Sequence, residues 1–116
     1  MGNDLASPML DYTLKFFEKY KSERKFFTVK FIDPHEFSGE LSNFIDPLIA
    51  NFLEKMDKGG HLDNTVVKLY ADHGDHIDFI LAKSDSAKNE KFNPFLYLII
   101  PDSMKENIGS NLEKNT

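Results

Sequence analysis

The chain has 116 residues, 41% of them hydrophobic and 28% charged, with eleven Phe, four Tyr, six Gly and five Pro. That balance suits one small globular core and excludes collagen, coiled coil and low-complexity disorder. Fourteen Lys and Arg against nineteen Asp and Glu leave a formal charge of -5, which gives no field to draw a phosphate backbone, so no nucleic-acid partner is expected.

In chain order, Leu10, Leu14, Phe17 and Tyr20 recur at helical spacing behind Pro8, a residue tolerated in a first turn, and predict an amphipathic helix over 9–20. Phe26 to Ile32 is aromatic and β-branched and predicts a strand that stops at Asp33-Pro34. Ile45, Leu48, Ile49, Phe52, Leu53 and Met56 form the clearest helical stripe. Asp46 as N-cap and Pro47 at the first helical position predict a helix from Pro47 to about Lys58, with 40–45 a separate or kinked turn. Gly59-Gly60 closes it, and His61 is expected in an exposed loop.

Thr65 to Tyr70 and Phe95 to Ile100 read as further strands, with 72–93 a long polar loop between them. The tail from Ser103 has room for one short helix. Strand, helix and strand over 26–70 make a βαβ unit, and the handedness rule predicts that its two strands run parallel in an α/β layered domain. The apolar run 95–100 is far shorter than the roughly 20 residues of a bilayer span, so this chain is not expected to insert directly into a membrane. With no Cys there is neither a disulfide framework nor a thiolate metal site, and the compartment stays open.

Ligands of parallel sheets collect beyond the carboxyl ends of the strands. Asp33-Pro34-His35-Glu36 follows the first expected strand and Ala71-Asp72-His73-Gly74-Asp75-His76 the second, a composition suited to a metal site. Asp72 and His73 can turn a carboxylate oxygen and an imidazole nitrogen toward one divalent cation while Gly74 lets the chain bend away. The same two residues also fit a solvated loop. A catalytic shell needs at least one more protein ligand, and His35 could serve there or as a donor to an oxyanion. His76 lies three residues from His73, while the spacing of Asp72, Asp75 and Asp78 misses the alternate-residue pattern of a calcium loop. Lys83 to Asn89 and Glu90 read as solvated loop, and no nucleophile motif is present.

The run from Gly60 through Asp63-Asn64-Thr65 and Val66-Val67-Lys68-Leu69-Tyr70 to Ala71-Asp72-His73-Gly74 resembles the D-N-T, strand, D-H-G signature of the sulfatase and alkaline-phosphatase-like superfamily, most nearly its DUF229 branch. The similarity extends over about residues 10 to 112, through Leu10-Asp11-Tyr12, Phe26-Phe27, His35, Asp46, Glu90, Pro94, Ile100-Pro101 and Asn111-Leu112. It implies a partial alkaline-phosphatase-like layered α/β domain with a mostly parallel sheet. Asp72 and His73 match the pair that binds a divalent cation (zinc, manganese, calcium or magnesium). His35 matches a histidine that contacts phosphate or sulfate oxygens of the substrate. His76 departs from the branch, which usually has Arg there, and residues 78–88 replace its glycine and arginine positions.

The resemblance further implies that residues 1–116 are a single partial domain truncated at both ends, without the nucleophile and first acidic ligand of an upstream strand. The expected function is therefore a segment of a metal-dependent hydrolase of phosphate or sulfate esters, not catalytic by itself, from a secretory or membrane-attached parent. The alternative is a standalone, non-catalytic α/β module that binds a metal, an anion or a protein partner.

Overall fold

The computed structural model describes residues 5–32, 40–74 and 92–106, together with positions 85, 89, 108, 111 and 114. The chain forms two compact units, Met1–Asp63 and Asn64–Thr116.

The first unit is built on two helices, α1 (Ala6–Lys19) and α2 (Glu40–Lys58), which pack on each other. Ala6, Leu10, Thr13 and Phe17 are the buried positions of α1, spaced by three and four residues as one helical face requires. The hydroxyl of Thr13 donates to the carbonyl of Met9 at 2.8 Å, so its polarity is satisfied inside that stripe. On α2 the buried residues among those described are Ile45 and Met56.

α2 begins seven residues earlier than its capping signal predicts and runs through Pro47 without a break between helices. Proline removes one donor and crowds the preceding turn. The Ile45 side chain, only 7% exposed, gives the turn before the proline its own burial, and that outweighs the local signal. In the last turns Lys58 pairs with Glu54 one turn back and holds its carboxyl below the ordinary carboxylate range, chiefly by hydrogen bonding to it.

The end of α2 is a Schellman turn. The Gly60 amide donates to the carbonyl of Asp57 at 2.8 Å and the His61 amide to that of Met56 at 2.9 Å, while Gly60 takes a left-handed φ of 67°. Gly59 is required for a different reason. A Cβ there would lie 2.7 Å from Cδ2 and 2.9 Å from Nε2 of His61. His61 is accordingly buried, 6% exposed, with its ring edge-on to Phe17 at 6.1 Å, which corrects its expected place in an exposed loop. The turn folds the residue after the glycines back over Met56, the residue it pairs with in this motif.

Residues 24–32 carry neither helix nor strand, although their exposure alternates residue by residue: Lys25, Phe27, Val29 and Phe31 are half-buried and their neighbours exposed. The expected strand over 26–32 thus has the side-chain period of a strand without a ladder. Strand propensity measures fit to a pleated surface and makes no strand until a partner backbone is paired.

In the second unit, β1 (Val67–Tyr70) and β2 (Leu96–Ile99) pair antiparallel, Val67 opposite Ile99 and Tyr70 opposite Leu96, and the Ala71 amide extends the ladder to the carbonyl of Phe95 at 3.1 Å. The protein is therefore mixed α/β. The sheet among the described residues is this antiparallel ribbon, and the parallel pairing expected of 26–32 with 65–70 is not formed among them. Leu62–Asn64, at the boundary between the two units, is a 3-10 turn, as is Asp102–Met104. Asp85, Asn89 and Phe92 are helical, and the Asn93 amide bonds the Asn89 carbonyl at 2.9 Å, within the stretch expected as loop. Positions 105, 106, 108 and 111 of the tail are helical, in line with the short helix expected there. No helix among the described residues is long and apolar enough to cross a membrane.

Candidate metal-ligand pair at the end of strand β1

Strand β1 delivers the candidate ligands. The ladder holds Ala71 through Phe95, after which the backbone bends at Asp72 and His73. The bend is held locally: the His73 amide donates to Oδ1 of Asp72 at 3.1 Å, and the His73 ring nitrogen Nδ1 lies 2.8 Å from the carbonyl of Gly74. A carbonyl only accepts, so Nδ1 is the donor here, and in the neutral ring Nε2 carries the lone pair. That is the arrangement in which a histidine ligates through one nitrogen while a backbone carbonyl orients the other.

Nε2 stands 4.0 Å from Oδ1 of Asp72, with the two side chains 45% and 64% exposed. A tetrahedral ion about 2.1 Å from each donor needs them about 3.4 Å apart, so the pair must close by about 0.6 Å. Exposed side chains on a bend can make that adjustment by small rotations. One imidazole nitrogen and one carboxylate oxygen suit zinc or manganese and make up half of a four-coordinate shell. Among the described residues no group of three such ligands is assembled.

His35, His76, Asp75, Asp78 and Glu90, and the run Lys83 to Lys88 apart from Asp85, lie outside the described residues. The structure therefore brings together the two sequence-adjacent candidates and says nothing of the others. Two further residues of the first unit have structural roles that the sequence does not announce: His61, buried at the end of α2 where an exposed loop is expected, and Lys25, whose ammonium reaches three backbone carbonyls of the turn after α1. His61 could have been found from the Schellman spacing, since Met56 and His61 occupy the two positions that this motif brings into contact.

A small mixed α/β protein with a carboxylate and an imidazole on the bend that follows a strand is the class these observations define. The chain matches the model of DUF229, described as a protein of unknown function, over residues 2–116, and it belongs to that family. No curated protein and no solved structure matches it.

Proposed function

We propose that this chain supplies two ligands of a divalent-metal site, Asp72 and His73, to a hydrolase acting on phosphate or sulfate esters. The observation that carries this proposal is the bend after β1, where Nδ1 of His73 is committed to the Gly74 carbonyl and Nε2 is turned to within 4.0 Å of the Asp72 carboxylate. The two donors fit half of the shell, and a cation bound there would supply charge stabilisation at a transferring phosphoryl or sulfuryl group. Asp72 contributes negative charge and an oxygen donor, and Gly74 fixes the tautomer of His73. His35 is assigned to the ester oxygens. No nucleophile is assigned to these residues, so turnover by the chain alone is not expected.

The same proposal includes the finer fold that the resemblance implies, a partial alkaline-phosphatase-like layered α/β domain with a mostly parallel sheet. It is supported by the period-two exposure of 24–32.

A second function, a non-catalytic binding module, is favoured by the exposed ribbon residues Phe95, Leu96 and Tyr97, which a protein partner would cover. Titration of the chain with zinc tests the metal assignment. One saturable site per chain is the expected result, and the absence of saturable binding would remove the basis of the hydrolase proposal.

A further inference from the structure

The chain leaving α1 turns through Tyr20 to Glu23, with the Tyr20 amide on the carbonyl of Phe16 at 3.1 Å and the Glu23 amide on that of Tyr20 at 3.0 Å. Lys25 folds back over this turn. Its Nζ donates to the carbonyls of Tyr20 at 2.8 Å, Glu23 at 3.2 Å and Lys21 at 3.4 Å, which uses the three donors of an ammonium group. The same atom sits 5.3 Å from the centroid of the buried Phe17 ring, within reach of a cation–π contact. Carbonyls exposed at a helix C-terminus carry partial negative charge, so a cation is the right chemistry there.

Two residues on, Phe27 packs its ring on Phe16 at 4.9 Å, Tyr12 at 6.2 Å and Phe17 at 6.5 Å. Among the described residues no backbone–backbone hydrogen bond reaches 24–29. This stretch is therefore held by side chains, with Lys25 at its start and Phe27 beside it.

We infer that Lys25 is a strap: its charged ammonium, seated on three carbonyls and the Phe17 face, keeps residues 26–29 against α1, and neutralising it releases them while the helices stay folded. The inference is independent of the metal assignment. Lys25→Met keeps the stem and removes the charge, and chymotryptic cleavage after Phe27 reads the release. Cleavage at least about tenfold faster than in the unchanged chain is expected, a factor that one charge-assisted hydrogen bond can supply, with the α1 and α2 amides still protected from exchange.

Cleavage at the original rate would overturn the inference, and so would loss of protection throughout both helices, which would make Lys25 a general stability residue. A second measurement needs no variant. Acylation of the native chain is expected to modify Lys25 at least about tenfold more slowly than the exposed Lys15, because an amine seated on three carbonyls and the Phe17 face must leave them before a reagent can reach it. Equal rates would show that the strap is not closed in solution.

Discussion

Phe17→Ala is expected to destabilise the first unit by about 3–5 kcal/mol, the range for deleting a large buried aromatic side chain. Phe17 is 8% exposed and meets three parts of the unit at once: Phe16 at 6.1 Å within α1, Phe27 at 6.5 Å from the segment after it, and His61 at 6.1 Å from the turn that ends α2. The Lys25 ammonium lies over the same ring. Truncation removes the transfer term, leaves a cavity between the elements, and forfeits edge contacts worth about 0.5–1.5 kcal/mol per aromatic pair beyond burial. Small domains have only about 5–15 kcal/mol to lose, so urea unfolding of the variant should begin at much lower denaturant. Phe17→Leu keeps the aliphatic bulk and should fall between the two. A loss below about 1 kcal/mol for the alanine variant, the level typical of surface positions, would mean that the ring does not join these elements.

Asp72→Ala and His73→Ala are each expected to weaken zinc binding by about 100-fold or more, equivalent to about 2.8 kcal/mol at 1.4 kcal/mol per tenfold. Each variant removes one of the two donors on the bend, and what remains is a single exposed side chain of the kind found all over a protein surface. Both side chains are substantially exposed, and the unfolding midpoint of each variant is read beside its zinc affinity. His73→Ala additionally frees the Gly74 carbonyl. Isothermal titration of the two variants beside the unchanged chain reads the difference, and a loss smaller than tenfold in either would take that residue out of the site.

What was legible in the sequence was what is written in short-range spacing. The α1 stripe is visible because Leu10 and Phe17 face one side at a helical repeat, and β1 and β2 because their apolar runs are compact. Asp72 and His73 could be paired because adjacent residues on a bend meet whatever the rest of the fold does. The start of α2 was misplaced because Asp46-Pro47 carries a strong local capping signal, whereas the burial of Ile45 depends on tertiary packing. His61 was misplaced because a residue after two glycines looks like loop, and only the Schellman hydrogen bonds turn it inward. Asp85 and Asn89 are helical positions that polarity hides, since polar residues leave no apolar period to read. Pairing of 26–32 was expected from composition, but composition does not specify which backbone will complete the ladder.

The most direct measurement is a manganese(II) relaxation map of the nitrogen-15-labelled chain at substoichiometric metal. Paramagnetic broadening falls steeply with distance and marks the bound ion's neighbours without any substitution. The account predicts that the amides of Ala71, Asp72, His73 and Gly74 broaden first, followed by that of Phe95, which lies across the ladder from Ala71. Broadening centred on another acidic surface such as Asp11 or Glu18, or no broadening before excess metal, would contradict a metal site at the end of β1.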